Sequence, residues 1–412
     1  MRNSHSLALA ATILATSSGA LANANELAEL KAQLQALQKR ISQLEQQATQ
    51  QAETPSQLNA NAIKVGGAVR TNFSSTSYDD DSKNRGGDFD FDMFRIDFSG
   101  KVGDIGLNAE LRVFDYMTAI KFAYLSYDIN RDWQAQLGLT KVPFGNWPYN
   151  SHSYFFSTNY YLGLEDDHDL GILFKRQLRD NWQLDLGFFK NDELGGVDGY
   201  VEDRTHRYSY DIVGLRAQSE GIYATPSQAV GEYNTFAGRI AYVLPHKGGQ
   251  SEWGLSALAG GLHDGTTRVG DYSAWAVHFN GNYGPWNVQL QHGKYDYDVT
   301  DVAQVAVGAY AFYDSIAAAA SMSSFNVAYA MKVNWGPVQH VQFYNDFGMV
   351  YSKSDGSADT WMNVTGMSFG AGAFFSYFDI VHAKNQPFIG GSIAGDSDDT
   401  ERRYNLNFGY YF

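Results

Sequence analysis

The sequence predicts an all-β protein, a transmembrane antiparallel β-barrel of about sixteen strands, with a short N-terminal coiled-coil helix. Three observations predict it. From Ile63 onward, apolar and polar residues alternate in segments of about ten residues, the pattern of strands with two unlike faces. Short connections alternate with long polar ones along this region. The chain also ends on an aromatic stripe whose last residue is Phe412.

Composition excludes several kinds of function. The chain has 412 residues, enough for one large domain or two ordinary ones, and a net charge of −15. An acidic chain is a poor partner for nucleic acid, so we expect no nucleic-acid binding. The absence of cysteine excludes disulfides and thiolate metal sites. No cofactor is predicted.

The N-terminus predicts export from the cytoplasm. Residues 1–24 begin with the basic Arg2, continue with a short apolar run and finish in small residues, so we expect signal-peptide cleavage after Ala22 or Ala24. The apolar run is too short and too interrupted to cross a bilayer. The alternative is a cytosolic N-terminal helix.

Residues 25–52 carry a heptad pattern. Apolar residues recur three and four positions apart, at Leu27, Leu30, Leu34, Leu37, Ile41 and Leu44. This narrow stripe predicts a coiled coil, because a helix packed on its own domain usually has a wider apolar face. About three heptads are marginal alone, so other contacts must help to hold the partner chains together. Residues 53–62 are predicted to be a linker and residues 63–412 the barrel.

The strand signal is clearest in the segment "GLNAELRVF". Leu107, Leu111 and Val113 share one face, and the polar residues between them share the other. A soluble β-sandwich would show the same alternation, with its polar face in water. The connections favour the barrel instead, since tight turns on one rim and long loops on the other are typical of outer-membrane proteins.

The predicted short turns lie at residues 101–106, 130–133, 179–182, 245–253, 283–286 and 334–339 and near 376–379. Five of them carry a tryptophan: Trp133, Trp182, Trp253, Trp286 and Trp335. Such a set predicts an aromatic girdle at the membrane interface. An even strand number puts both chain ends on the short-turn side, which is the periplasm. We therefore expect an outer-membrane location with the coiled coil in the periplasm.

The last strand explains the aromatic stripe. Tyr404, Leu406, Phe408, Tyr410 and Phe412 alternate with polar or small residues. We expect this stripe to face outer-membrane lipid and lipopolysaccharide while the strand pairs with the first one. Outer-membrane barrels resemble one another in ending on such a strand with a terminal Phe, which the barrel-assembly machinery recognises. A soluble edge strand of this composition would aggregate.

Several segments of the barrel region carry a family resemblance. They are "GLTKVPFG" (138–145), "YYLGLEDDHDLGI" (160–172), the pair Gly238-Arg239, "YFDIVHAKNQPFIGG" (377–391) and the terminal Phe412. In these segments the chain resembles the phosphate-selective porin O/P family of Gram-negative bacteria. The resemblance implies a sixteen-stranded homotrimeric channel, without enzymatic activity, that passes small hydrophilic solutes. It also implies a third loop that folds inward. Sugar and dicarboxylate porins share this architecture.

If the apolar residues face lipid, the alternate positions line the pore. These predicted pore-lining residues are Arg70, Arg95, Arg112, Arg239 and Lys332 among the bases and Asp97, Glu110 and Asp185 among the acids. The basic excess predicts a mild preference for anions. Alternatively, Arg95 with Asp97 and Glu110 with Arg112 neutralise each other. The sequence shows no dense arginine ladder of the kind that phosphate selection would require.

The long segment 141–169 is the predicted constriction loop. Its candidate residues are Phe144, Trp147, Tyr149, Tyr154, Asp166 and Asp167. The aromatic residues either pack the loop onto the inner wall or offer stacking faces to a sugar or an aromatic acid. The acids from Glu165 to Asp169 either bind a hard cation such as calcium or form a solvated hinge, which is the expectation adopted. No metal site is predicted.

One short segment suggests catalysis. Ser151, His152 and Ser153 are adjacent within the loop, and outer-membrane hydrolases exist. A nucleophile requires a base and an orienting group at hydrogen-bond distance, which adjacency alone does not supply. We therefore expect no enzymatic activity.

Overall fold

A closed barrel of sixteen antiparallel strands forms most of the protein. The structure is a computed structural model that describes residues 61–176, 181–198 and 203–412. The predicted signal peptide and coiled coil lie outside the described residues. The sixteen-stranded antiparallel barrel predicted from the sequence is confirmed. Among the described residues, no helix has the length and apolar character needed to cross a bilayer.

The described strands are β1 (Asn61–Thr76), β2 (Asp88–Val102), β3 (Ile105–Val113), β4 (Thr118–Asp128), β5 (Trp133–Lys141), β6 (His168–Arg176), β7 (Trp182–Asn191), β8 (Asp211–Leu215), β9 (Gln228–Ala229), β10 (Gly231–His246), β11 (Gly249–His263), β12 (Arg268–Tyr283), β13 (Trp286–Asp298), β14 (Gln304–Ala309), β15 (Phe312–Ala317), β16 (Ala319–Trp335), β17 (Val338–Tyr351), β18 (Thr360–Ala371), β19 (Phe374–Lys384) and β20 (Glu401–Tyr411). Helix α1 (Asp80–Arg85) and a 3₁₀ turn (Tyr160–Leu162) lie in two of the loops. The first strand begins two residues before the predicted boundary at residue 63.

Closure of the barrel depends on the first and last strands. β1 pairs antiparallel with β20 from Ala68 opposite Tyr411 to Thr76 opposite Arg403. The terminal Phe412 extends this pairing, because its N–H donates to the carbonyl of Gly67 at 3.0 Å and its carbonyl accepts from the N–H of Gly67 at 2.9 Å. A closed ring pairs the backbone groups of every strand, which extended chain in lipid requires.

The outer surface of the barrel is apolar. Large side chains remain exposed along the strands, among them Val65, Phe98, Leu137, Phe236 and Leu255. Near the short turns, Trp182, Trp253, Trp286 and Trp335 are each more than two-fifths exposed. Three of them pack against an aromatic residue on the next strand, with ring centroids 4.5–4.8 Å apart. These positions match an interfacial aromatic belt.

The alternation of short and long connections is less regular than the sequence predicts. The connections at 114–117 and 264–267 lie on the long-loop side, yet each has only four residues between strands. The prediction of a short turn near 376–379 is wrong, because those residues lie inside β19 and the chain turns at 372–373. The phenylalanines on both sides of this turn concealed it in the sequence.

A second sheet, which the sequence did not predict, is built from two long loops. Strands β8 and β9 come from the loop after β7, and β14 and β15 come from the loop after β13, in the order β15-β14-β8-β9. Their apolar side chains, such as Ile212 and Val305, join a core with Phe156 and Tyr161 of the 142–167 loop and with wall residues such as Leu262. This core fixes the loop and the second sheet to the barrel wall.

Gly67 provides a test of barrel closure. A Cβ at this position would lie 2.3 Å from the carbonyl oxygen of Arg95 and 2.8 Å from the ring of Phe412, so Gly67→Ala must distort the seam and is expected to cost about 1–3 kcal/mol. We expect the folded form to convert to the unfolded band at a lower temperature on semi-native gels. The control Gly370→Ala meets nothing closer than 3.5 Å. Equal conversion temperatures for the two variants would contradict this role of Gly67.

Candidate functional site

The loop at residues 142–167 crosses the interior of the barrel. It begins at the end of β5, and the N–H of Gly145 donates to Ser256 on β11 at 3.0 Å. The N–H of Asn146 donates to Gln291 on β13 at 2.8 Å. The side chain of Asn150 then donates to Ser324 on β16 at 2.7 Å. The successive contacts on β11, β13 and β16 show that the loop extends across the lumen, away from β5 and β6, which it connects.

The far end of the crossing is anchored on Asp346. This residue lies on β17, the thirteenth strand of the ring, eight positions from β5 in a ring of sixteen. Its carboxylate accepts from the N–H groups of His152 at 2.7 Å and Ser153 at 2.8 Å and contacts Nδ1 of His152 at 2.7 Å. Burial alone would lower the pKa of His152, but the hydrogen bond to Asp346 and its charge raise that pKa above its usual value.

Arg239 is a second anchor and lies beneath the loop. Its Nε donates to the carbonyl of Gly145 at 2.9 Å, and its other nitrogens contact Gln183 at 3.1 Å and Glu252 at 2.5 Å. The residue is only 1 % exposed. Its side chain points inward, as the strand alternation predicts, but the loop separates it from open space. Its role in this structure is therefore to hold the loop.

A cavity of about 390 Å³ lies between the loop and one side of the barrel wall. We call it the basic cavity, because five cationic side chains and three carboxylates line it. The cations are Arg70, Arg95, Arg112, Lys121 and Arg403, and the carboxylates are Asp92, Glu165 and Asp166. Strands β1–β4 and β20 supply the cations, whereas the loop supplies two of the acids. The charges of the wall and the loop are thus opposite in sign.

The three arginines on strands β1–β3 each pair with a neighbouring acid. Arg70 Nε lies 2.7 Å from Asp92, and Arg95 lies 2.7 Å from Asp97. Arg112 Nε lies 2.6 Å from Glu110. The Arg95–Asp97 and Arg112–Glu110 pairs form along single strands, whereas the cross-strand contact of Arg95 with Glu110 is longer, at 3.9 Å.

Asp166 is the point where the loop meets the basic wall. Its carboxylate contacts Lys121 Nζ at 2.6 Å and Lys141 Nζ at 2.8 Å, and it accepts from the hydroxyl of Tyr208 at 2.8 Å. Burial alone would raise the pKa of Asp166, but the two ammonium groups hold that pKa well below its usual range. One ionised carboxylate therefore serves two lysines.

Arg403 was not among the predicted pore-lining residues. Among the described residues it makes no ion pair with a carboxylate, and its Nη2 donates to Asn405 at 3.1 Å. It stands 5.7 Å from the ring of Phe156 in the loop. The signal that could have found it is its alternation with the lipid-facing stripe of β20, which already places it on the inner face.

Asp92 was missed for a different reason. β1 and β2 shift register where Arg70 faces Met93 and Thr71 faces Phe91, so Asp92 occupies a β-bulge. Because the bulge adds one residue, the positions of β2 that would face outward before it face the lumen after it. Phe91 is exposed on the outer surface while Arg95, four residues later, lines the basic cavity. The break in alternation between Phe91 and Phe94 is visible in the sequence.

The other predicted wall residues lie away from the basic cavity. Lys332 is exposed near the turn at 336–337, outside the cavity lining. Asp185 is buried, pairs in register with Arg239 and contacts it at 3.9 Å. Neither contributes a charge to the narrow space beside the loop.

The predicted loop residues have distinct surroundings. Phe144 is buried in the core, and Asp167 is buried near Asp169 and Asp211. Trp147 has two lysines over its ring, with Nζ of Lys141 5.2 Å and Nζ of Lys175 4.5 Å from the ring centre. Tyr149 and Tyr154 line the basic cavity. Tyr149 is 45 % exposed, whereas Tyr154 donates to Asp92 and lies 4.8 Å beneath the guanidinium of Arg70.

The serine and histidine of the loop are not arranged for catalysis. Nδ1 of His152 contacts Asp346 at 2.7 Å, and Nε2 contacts the side-chain oxygen of Asn287 at 2.6 Å. Both ring nitrogens are therefore engaged with the barrel wall. A base that activates Ser151 needs one nitrogen directed at the hydroxyl.

Comparisons with known proteins identify the fold. No family model matches the chain, and no curated protein sequence is detectably similar to it. The chain is similar to the outer membrane channel DcaP of Acinetobacter baumannii, with 12% identity, a TM-score of 0.52, and coverage of 86% of this chain and 98% of that one. It is also similar to the trimer form of OmpT, an outer membrane protein of Vibrio cholerae (14%, 0.51, 85% and 99%), and to OprB of Pseudomonas putida (8%, 0.53, 86% and 95%). At these identities the likeness shows a shared barrel fold.

The contact between His152 and Asp346 predicts a pH dependence of stability. A histidine whose pKa is raised on folding contributes fully below its unfolded pKa of about 6.5, and the contribution is lost as the pH rises through the folded value. We expect His152→Gln to cost roughly 1.5–3 kcal/mol at pH 6 and much less at pH 9, measured by thermal unfolding in detergent. Ser151→Ala, at the neighbouring position, is the control. A cost that is the same at both pH values would contradict the charged contact.

Proposed function

We propose that this chain is an outer-membrane porin, a passive channel for small hydrophilic solutes with a mild preference for anions. The single observation that carries the proposal is the basic cavity, where an inward loop narrows a closed barrel against a wall of cationic side chains. The apolar outer surface supports a location in the outer membrane. The solved outer-membrane channel DcaP has the same fold, which supports the assignment to this class.

The charge balance supports a mild rather than a strong preference. Arg70, Arg95 and Arg112 each have a carboxylate partner, so they act on a passing ion mainly through their free N–H donors. The excess positive charge comes from Lys121 and Lys141, which share the single carboxylate of Asp166, and from Arg403, which has no carboxylate partner among the described residues. Glu165, whose pKa burial raises to about 7, offsets at most one of these two charges. Cations in a narrow pore lower the free energy of an anion inside it.

The resemblance to the phosphate-selective porin family supports an anion channel, and the structure brings three of the predicted pore-lining arginines together with Lys121 and Arg403 in one cavity. Arg70, Arg95, Arg112, Lys121 and Arg403 come from five different strands, which is why no local motif reveals them. Phosphate and small carboxylates are the anions that this set of donors would suit, because guanidinium groups bind their oxygens with two N–H donors.

A sugar channel is less well supported. Cationic groups lie 4.5–4.8 Å from the ring centres of Trp147, Tyr149 and Tyr154, so each ring already has a cation over one face. The engagement of both nitrogens of His152 supports a protein without hydrolase activity. We include no cofactor in the proposed function.

Arg403→Ala tests the proposed selectivity. A unit charge about 4 Å from a permeating ion is worth about 1 kcal/mol even at the dielectric constant of water, so we expect the anion-over-cation permeability ratio to fall severalfold. The measurement is the zero-current potential of single channels in a planar bilayer under a KCl gradient. Arg95→Ala with Arg112→Ala should shift it in the same direction.

Lys332→Ala is the matched control, because it removes a lumen-facing cation that lies outside the basic cavity. We expect it to change the potential much less than Arg403→Ala. Firm cation selectivity of the unmodified channel would overturn the proposed anion preference. Absence of any conductance would overturn the porin itself.

The proposed assembly is a homotrimer inserted through recognition of the terminal Phe412. The trimer form of OmpT, a protein of similar fold, supports this proposed assembly. We expect deletion of residues 25–52, the predicted coiled coil, to lower the yield of trimer on semi-native gels while the barrel still folds. An unchanged trimer yield would refute the role assigned to the coiled coil.

A further inference from the structure

A second group of charged residues lies outside the basic cavity. Asp167 and Asp169 lie on either side of the first residue of β6, and Asp211 is the first residue of β8. One carboxylate oxygen from each of the three lies within 4.8 Å of the others, and all three residues are buried. We call these three residues the aspartate cluster. It joins the end of the crossing loop to the second sheet.

A small cavity of about 20 Å³ adjoins the aspartate cluster. Asp167, Asp169 and Glu232 line it, together with Tyr210 and Tyr295. The hydroxyls of Tyr210 and Tyr295 have no hydrogen-bond partner among the described residues, although the two residues are only 2 % and 3 % exposed. Buried polar atoms nearly always have a partner, so these hydroxyls indicate that something polar fills the space. A cavity of this size holds about one water molecule or ion.

The charges around this cavity are not balanced by the protein. Arg207 contacts Asp211 at 2.5 Å and Asp192 at 3.1 Å, and Arg204 also pairs with Asp192. Two arginines therefore balance two acids. Asp167, Asp169 and Glu232 make no ion pair within the described part of the chain, and one oxygen of Asp167 and one of Asp169 accept no hydrogen bond there. Buried carboxylates without a partner are strongly destabilising.

We propose that a calcium ion binds where the aspartate cluster meets this cavity, held by Asp167, Asp169 and Asp211 of the cluster and by Glu232 of the cavity lining. Calcium accepts six to eight oxygen ligands at 2.3–2.6 Å in irregular arrangements, so oxygens on opposite sides of the ion lie about 4.8 Å apart. The hydroxyl oxygens of Tyr210 and Tyr295, which line the same cavity, complete the coordination of the ion without water ligands. This assignment replaces the expectation of a solvated acidic hinge at Glu165 to Asp169.

Other cations fit this set of ligands less well. Zinc prefers histidine and cysteine, and the aspartate cluster offers only carboxylates. Magnesium retains several water molecules in strict octahedral geometry, which a cavity of about 20 Å³ does not accommodate.

The ion would link the crossing loop to the second sheet and to the barrel wall. Asp167 belongs to the loop, Asp169 to the barrel strand β6, Asp211 to the second sheet and Glu232 to the barrel strand β10. The loop and second sheet are already close here, since a Cβ at Gly163 would lie 2.1 Å from the carbonyl of Tyr210. Calcium binding therefore stabilises the contact of the crossing loop with the second sheet and the barrel wall without altering the basic cavity.

The test uses the full-length protein in lipopolysaccharide-free detergent, because lipopolysaccharide itself binds calcium. After treatment with EDTA, calcium should raise the temperature of thermal unfolding in a saturable way, and magnesium should raise it much less. Terbium is a second probe, since Tyr295 and Tyr210 lie beside the site and can sensitise its luminescence on excitation of tyrosine. Calcium should displace terbium from the site.

Asp167→Asn combined with Asp169→Asn keeps the shapes of both side chains and should abolish the calcium response and the tyrosine-sensitised signal. Glu232→Gln provides a second variant if the double variant does not fold. The control is Asp80→Asn with Asp399→Asn, which neutralises two exposed loop acids and should leave both responses unchanged. Equal unfolding temperatures of the unmodified protein in calcium and EDTA would overturn the site. An equal response to magnesium would overturn its assignment to calcium.

Discussion

The structure depends on one constraint: every backbone N–H and C=O of an extended chain in lipid must find a partner within the protein. Sixteen strands meet it only because β1 and β20 pair, so the seam at Gly67 and Phe412 is as important as any pair of strands adjacent in sequence. The closed ring then imposes two faces. Along the parts of the strands that cross the lipid, apolar side chains face outward and charged side chains face the lumen.

Charges in the lumen need partners because the crossing loop displaces water from them. The loop supplies some of those partners and is held in place by them. Asp346 and Arg239 fasten it to the wall through backbone groups, while Asp166 joins it to two lysines. The contacts that narrow the lumen are therefore the same contacts that neutralise part of its charge. What remains for a solute is the small positive excess.

The parts of this architecture that follow from local periodicity could be predicted from the sequence. The number of strands, the outward-facing apolar stripe of β20 and the tryptophans near the turns all follow from the alternation of apolar and polar residues along each strand. The position of the loop at 142–167 is marked by its length and its aromatic residues. Prediction failed where the period was broken, as at the bulge of Asp92 and at the turn of 372–373, where apolar residues flank the glycine.

Non-local pairing limits prediction more severely. The second sheet brings together two loops about ninety residues apart in sequence, and neither loop alone contains a strand signal as clear as those of the wall. Tyr208 reaches the basic cavity only because of that sheet, and Asp211 reaches Asp167 for the same reason. A sequence shows four acids near the end of the crossing loop. It does not show that two of them are buried beside a third carboxylate with too few cations to balance them.

The two sites use buried acids in opposite ways. Beside the basic cavity, the single carboxylate of Asp166 pairs with two lysines, which leaves a surplus of positive charge. Around the aspartate cluster the carboxylates outnumber the arginines, and the proposed calcium ion would make up that deficit. Asp166 and Asp167 are adjacent in the chain, yet Asp166 contacts Lys121 and Lys141 whereas Asp167 lies beside Asp169 and Asp211. The left-handed backbone of Asp166, with a φ of 55°, lies at this divergence. Neighbouring acids at the end of one loop thereby belong to two different charge environments.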